Sequence, residues 1–538
     1  MESIPLIMWL PPPALATTTN HGLRSGVVVA CVVATALGGL RWLRVAQREH
    51  YLVDAASRFA LRWWTGSAAN AAGLLVAIAG LVLSWRWEGA AFATAAVVAL
   101  GPLGLAVRGR TSPLVWTRRL RTLAGVWAAF EAGAIAGGVV SGAGPVVAAA
   151  AALAVPALVD LSCAVTAPLE RHLADRYVAR AAARLRRVAP TVVAITGSYG
   201  KTTTKGYVAH LVSGSRSVVA SPASFNNRAG LARAVNEHLA DGTQVFVAEM
   251  GTYGPGEIAE MTSWIRPDIA VITAIGPVHL ERFGSEERIA EAKAEILDRS
   301  ERAVLVTDDP RLAALADACQ ARGGRVWRVS ARHPGADVCV LAEADGLTVL
   351  VRGDIVARVA LDARPGNVGA AIAVALELGV AVTDIASRLA TLPAAPHRLE
   401  ATTAPSGAVV LDDTYNANPA GTRVALATLA RVGEAGKRRV VVTPGLVELG
   451  ALQPSENARF AQEAARIATH LVVVGLTNRR ALVRGARLLG AEDSDGSAGR
   501  RLEVVAVRTR EQATQWVRAH VDAGDAVLYE NDLPDHYP

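Results

Sequence analysis

Charge, cysteine and basic–aromatic alternation are all scarce in this 538-residue chain, and each shortage closes off a class of protein. Charged residues make up only 19% of the sequence and the mean hydropathy is +0.29, which argues against a purely water-soluble enzyme. The four cysteines, Cys31, Cys163, Cys319 and Cys339, stand far apart without metal-ligand spacing, so reduced, ligand-free thiols are expected. No alternation of basic and aromatic residues marks a nucleic-acid groove, and nucleic acid is not expected as a partner despite a net charge of +7. The first apolar run follows the proline-rich start MWLPPPA rather than a basic segment, a poor fit to a cleaved signal peptide.

What the first third does contain is apolar length. Five runs precede Glu170, at about 26–46, 66–84, 89–107, 122–141 and 144–168. Each approaches the ~20 residues a helix needs to cross ~30 Å of hydrocarbon. A membrane region of about five transmembrane helices is therefore expected over 1–170, in contact with a lipid bilayer. The connection after the first run carries Arg41, Arg44, Arg48, Arg58 and Arg62, and that after the third carries Arg108, Arg110, Arg118, Arg119 and Arg121. The other two connections, SWRWEG and SGAG, hold one arginine between them. Basic segments stay cytoplasmic, which predicts an external amino terminus and a multi-pass protein of the cytoplasmic (inner) membrane with everything after Glu170 in the cytoplasm. Most of the positive charge is then topological. Glu131 and Asp160 lie inside these runs, where an ionisable group is expensive and invites a proton- or headgroup-handling role; a helix–helix hydrogen bond or an interfacial position is the plainer reading.

From about Thr191 the pattern changes to short β-branched runs between helical segments: TVVAITG, VVASP, QVFVAEMG, IAVITAIG, RAVLVT and VWRVS. That alternation predicts a mostly parallel sheet covered on both faces. Residues 338–361 alternate differently and carry the turn signals Asp345-Gly346 and Gly353-Asp354, the mark of a flanking antiparallel meander. A second series, AVVLDD, RRVVVTPG, HLVVVG, LEVVAV and DAVLYE, predicts a smaller Rossmann-like α/β unit, and the cleft between the two units is the expected active site.

The chemistry centres on AITGSYGKTTTKGYVAH, Ala194–His210. Gly197-Ser198-Tyr199-Gly200-Lys201-Thr202 joins a strand to a helix start, where glycines let backbone N–H groups approach phosphate oxygens and the helix presents its positive end. Lys201 would neutralise the β- and γ-phosphates of ATP, and the Thr202 hydroxyl would reach Mg²⁺. The loop is two residues shorter than the general GxxxxGK[ST] pattern, and its place directly between strand and helix is what supports the cradle. Glu249 ends a strand on the cradle side, where a carboxylate can hold Mg²⁺, although a plain strand-end carboxylate would look the same. By themselves, Lys293 reads as a solvated helix lysine paired with Glu and His279 as a structural histidine.

Together the motifs resemble the Mur ligase family over about 191–460, closest to its D-alanyl-D-alanine-adding type. They are GxxGKTTTK after a strand, FNNRAGL (225–231), VFVAEMGTYGPGEI (245–258), PDIAVITAIGPVHLERFGSEERIAEAKAEI (267–296), HRLE (397–400) and LDDTYNANP (411–419). The resemblance implies a P-loop α/β central domain at 171–396 and a Rossmann-like ligase domain at 397–538, behind the transmembrane bundle. It implies ATP bound by Gly197, Ser198, Tyr199, Gly200, Lys201, Thr202, Thr203, Asn367, Arg398 and Asp413, with Arg398 closing on the γ-phosphate and Asp413 on the ribose. It also implies two Mg²⁺ ions on Thr202, Glu249, His279 and a carbamylated Lys293. Asn227, Asn416 and Asn418 would contact substrate, and Lys201, Lys293, His279 and Arg398 would be catalytic. In such ligases ATP phosphorylates a carboxylate, an amine attacks the acyl phosphate, and ADP and phosphate leave, with no covalent nucleophile.

The chain also departs from the family. Apolar runs stand where the family has a soluble domain for a UDP-sugar-peptide, the segment DAVLYENDLPDHYP lacks the lysine-glycine-serine ending, and Asn457 replaces a commoner histidine. These departures bear on the substrate. One reading is a ligase adding an amino acid or dipeptide to a nucleotide- or lipid-linked peptide precursor of the cell envelope. A second is a ligase for another polymer, such as a γ-linked poly-amino acid. A third is a membrane scaffold or transporter with an ATP-binding domain. The joint presence of Lys201, Glu249, His279, Lys293, Arg398 and Asp413 speaks against the third, and DDTYNANP favours the first. The membrane portion would anchor the ligase beside a lipid-linked substrate or a membrane-bound envelope synthase.

Overall fold

The computed structural model describes residues 21–109, 113–222, 225–393, 399–414, 418–492, 502–533 and 537. Arg398 and Asn416 lie outside the described residues. Contacts divide the chain into two compact units, residues 1–170 with 534–538, and residues 171–533.

The first unit is helical: His21–Arg48, Ala55–Thr65, Ala68–Leu83, Ala91–Leu100, Arg118–Val140 and the start of Gly144–Val188. His21–Arg48, Arg118–Val140 and Gly144–Val188 are long and apolar enough to cross a membrane; Ala55–Thr65 with Ala68–Leu83, bent by 111°, makes a fourth if taken as one span. Five runs were expected to span; among the described residues, length and composition single out these three or four. The run at 66–84 yields a helix of 16 residues, about 24 Å long. The run at 89–107 yields a short turn and a helix of only 10 residues, about 15 Å. It stops at Gly101, ahead of Pro102, as helices do before a proline. Arg41 donates to the carbonyls of Val98 (3.2 Å) and Ala99 (2.7 Å), oxygens stranded by that stop, and to that of Leu105 (3.2 Å) in the loop beyond. Asp160 accepts from the backbone N–H of Ala56 (3.1 Å) and Ser57 (2.9 Å), capping the helix Ala55–Thr65. Glu131 accepts from Trp127 Nε1 at 3.1 Å. Both acidic residues thus have packing partners. Tyr537 meets Phe59 edge-on with ring centroids 4.9 Å apart and packs with this unit.

The second unit holds two sheets. The first contains β1 (Thr191–Thr196), β2 (Val218–Ala220), β3 (Val245–Glu249), β4 (Ile269–Ile272), β5 (Arg302–Val306), β6 (Arg325–Ser330), β7 (Val338–Glu343), β8 (Gly346–Val351) and β9 (Asp354–Val359), in the order β2-β3-β1-β4-β5-β6-β7-β8-β9. Pairing is parallel from β2 through β7 and antiparallel from β7 to β9, the meander that the turn signals predict. β1 is buried from Val192 to Thr196. One face of the sheet is covered by a cluster that includes Leu231, Phe246 and Met261, the other by one that includes Val208, Leu211 and Ile372. Each large apolar side chain so buried contributes about 1.5–3 kcal/mol, enough to fix the cradle strand rigidly in the middle of the sheet.

The other sheet contains β10 (Glu400–Thr403), β11 (Val409–Asp413), β12 (Arg439–Thr443), β13 (His470–Val474), β14 (Glu503–Val507) and β15 (Ala526–Glu530), in the order β10-β11-β15-β12-β13-β14. Only β10 runs antiparallel, and its EATT sequence gives no strand signal. β15 inserts between β11 and β12, so the ends of strands far apart in sequence become neighbours. Ligands in such sheets bind beyond the carboxyl ends of the strands.

Candidate active site

β1 leads into the loop Gly197–Gly200 and then the helix Lys201–Val212. Gly197 (φ 150°) and Gly200 (φ 82°) hold backbone angles that favour glycine. A Cβ at Gly197 would lie 2.0 Å from Thr273 Oγ1, and one at Gly200 would lie 2.2 Å from Asn367 Oδ1. Asn367, buried near the start of the helix Pro365–Glu377, therefore packs directly against the loop. Ser198 Oγ donates to Gly276 O and accepts from Gly276 N, both at 3.0 Å, pinning the loop to the segment after β4. Lys201 Nζ curls back to Gly197 O at 2.8 Å, and Thr202 and Thr203 stand half-exposed on the first turn. Burial pushes the Tyr199 phenol far up, and charges from both sheets' surroundings act on it: Glu286 and Arg364 from the first, Glu456 and Arg423 from the second. The loop thus sits where the two halves of the unit face each other.

Glu249 ends β3, one strand over from β1, with Ile195 as its register partner. Its carboxylate is 1% exposed, accepts from Asn226 Nδ2 at 3.2 Å and pairs with Lys205 Nζ at 3.0 Å. Lys293, on the helix Glu286–Ala294, is buried too, and burial together with the Lys201 charge holds its amine well below the ordinary lysine range. A buried amine near the cradle lysine makes a pocket that wants an anion.

His279 adopts φ 55° ahead of the helix Leu280–Phe283, its ring against Tyr253 at 4.6 Å between centroids. Its Nδ1 contacts the Glu448 carboxylate, which comes from the other half of the unit; Glu281 N also donates to Glu448 O at 3.2 Å. The loop presenting Glu448 is braced by Asn457, which accepts from Leu446 N (2.8 Å) and donates to Leu446 O (2.9 Å) and Gln453 O (2.8 Å). Asn457, noted as a departure, is therefore a fully buried loop brace.

Two asparagines expected on substrate are helix caps here. Asn227 Oδ1 accepts from Gly230 N and Asn418 Oδ1 from Gly421 N, each at 2.8 Å, because an extended Asn before a helix satisfies its free amides. The neighbour Asn226 is the one that reaches the glutamate. Asp413 ends β11 beside Glu530 at the end of β15. Lys205, Asn226, Glu448, Glu530 and Arg364 were not singled out from sequence; only Lys205 had a signal, lying one helical turn beyond Lys201.

Among the described residues no three His, Cys, Asp or Glu side chains converge as a metal cluster. The oxygen donors Thr202 and Glu249 do suit Mg²⁺ completed by phosphate oxygens. Lys293 would join such a set only as an anionic carbamate, and His279 only through its Nε2, since Nδ1 faces Glu448.

The description "Mur ligase middle domain" fits residues 195–352, and "Mur ligase, glutamate ligase domain" fits 397–529. The UDP-N-acetylmuramoyl-tripeptide–D-alanyl-D-alanine ligase of Mycobacterium leprae is 36% identical over 375 residues, covering 63% of this chain and 70% of that protein. Its Mycobacterium tuberculosis (H37Rv) counterpart is 36% identical over 361 residues, covering 63% and 69%. Among solved structures, MurF of Thermotoga maritima in complex with ADP superposes with a TM-score of 0.56 at 25% identity, covering 67% of this chain and 80% of that one.

Proposed function

Because the chain belongs to the Mur ligase family, we propose that it is a peptidoglycan-precursor ligase that joins the amine of D-alanyl-D-alanine to the terminal carboxylate of a muramoyl-tripeptide. It is an ATP-dependent, ADP-forming acid–amino-acid ligase. The observation that carries the reading is the glycine cradle flanked by Lys201, buried Lys293 and buried Glu249. Lys201 would grip a terminal phosphoryl group by charge, and phosphoryl transfer by positioning and charge needs no covalent enzyme intermediate.

The substrate carboxylate oxygen attacks the γ-phosphorus and ADP leaves; the amine nitrogen then attacks the acyl carbon and phosphate leaves. The amides of Gly197–Lys201 and the Lys201 ammonium orient the phosphates. Lys293 adds to the pocket, either as an amine or as a carbamate formed on its unprotonated nitrogen. Thr202 and Glu249 would hold Mg²⁺, which when bound would supply positive charge at the phosphates. Asp413 would take the ribose, and Arg398, two residues ahead of β10 in sequence, would complete the γ-phosphate contacts as the halves close. We take residues 171–396 as the central domain and 397–538 as the carboxyl-terminal ligase domain.

The first unit would hold the ligase at the cytoplasmic face of the membrane. Three spans keep every arginine-rich segment on one side if Ala68–Leu83 and Ala91–Leu100 enter and leave by the same face. That placement favours a lipid-linked acceptor or a neighbouring envelope synthase.

The test is turnover of full-length protein in detergent with ATP, UDP-muramoyl-tripeptide or its lipid-linked counterpart, and D-alanyl-D-alanine. ADP release that requires both acid and amine is expected. AMP as product, or ADP release indifferent to both substrates, would refute the ligase assignment. Deleting 1–170 should spare turnover of the soluble acceptor if the spans only tether.

A further inference from the structure

β11 and β15 run side by side in parallel register, so Asp413 and Glu530 are direct neighbours at their carboxyl ends. They differ in access. Asp413 is half-buried and can meet a ligand, whereas Glu530 is 0% exposed. Among the described residues no donor reaches either Glu530 carboxyl oxygen. The charges acting on it are Asp413, from the adjacent strand, and Arg364, at the start of the helix Pro365–Glu377. On its other side β12 ends in the uncharged Thr443.

An anion so enclosed, without a donor and beside a second carboxylate, costs far more than a neutral acid. A neutral carboxyl next to a carboxylate also acquires what the site otherwise lacks, an O–H donor. Burial, reinforced by Asp413, accordingly pushes the Glu530 carboxyl well above the usual carboxylate range.

We propose that Glu530 is a positioning residue for the nucleotide: its protonated carboxyl donates to Asp413 and fixes the orientation and single negative charge with which Asp413 meets the hydroxyl groups of the bound nucleotide. This rests on the reading of Asp413 as a nucleotide contact. It also makes nucleotide affinity sensitive to alkali. Below the titration of the shared proton the pair carries one charge and Asp413 is held; above it both groups are ionised, repel each other, and the hydrogen bond is gone.

The experiment is ADP binding by calorimetry to full-length protein in detergent, from pH 6.5 to 9.5, for wild type, Glu530→Ala, Glu530→Gln and Asp413→Asn. Glu530→Ala should weaken ADP about tenfold at pH 7, and Glu530→Gln, which keeps shape and donor, should restore most of that loss. Wild-type affinity should fall on the order of tenfold toward pH 9.5, while Glu530→Gln, with no proton to lose, should stay flat. Parallel pH profiles for wild type and Glu530→Gln would overturn the proposal, and that comparison decides even if the alanine variant does not fold. Unchanged ADP affinity in Asp413→Asn would overturn it as well. Neither result touches the ligase reading, which is judged by ADP release from both substrates at pH 7.

Discussion

Lys205 offers a direct test of how the buried glutamate Glu249 is held. Its ammonium lies 3.0 Å from Glu249, with side-chain exposures of 7% and 2%, so solvent screens the pair little. Removing one member of a buried pair strands the other charge and costs about 3–5 kcal/mol. For a domain of ~200 residues, where each kcal/mol moves the midpoint by roughly 2–4 °C, Lys205→Met should melt on the order of 10 °C below wild type. Removing both charges is much milder, because no ion is left behind. Lys205→Met combined with Glu249→Leu should therefore recover most of the loss, giving a coupling of about 2–3 kcal/mol in a double-mutant cycle. The measurement is thermal unfolding by intrinsic fluorescence in detergent, with divalent ions chelated so that Glu249 has no alternative counter-charge. A single variant melting within about 2 °C of wild type would show that the pair contributes nothing to the fold, and a double variant no better than the single would show that the cost is packing rather than charge.

Other expectations follow from the same geometry. Lys201→Ala should reduce ADP formation by at least about a hundredfold with little change in the melting midpoint, since Lys201 Nζ bonds the Gly197 carbonyl of its own loop. Asn457→Ala strips three hydrogen bonds from the loop carrying Glu448; a stability loss of about 2–4 kcal/mol by denaturant titration is expected, with a fall in kcat that mutating an unrelated surface loop would not produce. Lys293 gives a pH test with a definite sign. Its folded amine is held well below the unfolded value of about 10.4, so the unfolded chain binds the extra proton and the buried amine costs stability as pH falls below that value. In carbon-dioxide-free buffer Lys293→Met should thus be more stable than wild type at pH 7, and the difference should shrink toward pH 10; a pH-independent difference would contradict the buried-amine account.

The α/β fold, the meander at 338–361 and the strand–cradle–helix unit were legible because each is written in local periodicity and turn residues. The membrane unit shows where local signals mislead: hydropathy measures how apolar a run is, but Gly101-Pro102 ends the helix within the run 89–107 after ten residues. The site divides along the same line. Residues fixed by their own loop, such as Gly197, Gly200 and Lys201, stand in the strand–loop–helix turn that their spacing implies, whereas the amide oxygens of Asn227 and Asn418 cap the helix each precedes. Both have the extended backbone of a cap and donors three residues on, so the amide oxygen is already engaged. Glu448 and Glu530 were out of reach for another reason. Glu448 matters because its loop meets His279 across the two halves, and Glu530 because β15 inserts between β11 and β12; no window of neighbouring residues contains either fact. Contacts set by sheet order and by the meeting of loops are therefore what the motifs of this chain leave unspecified.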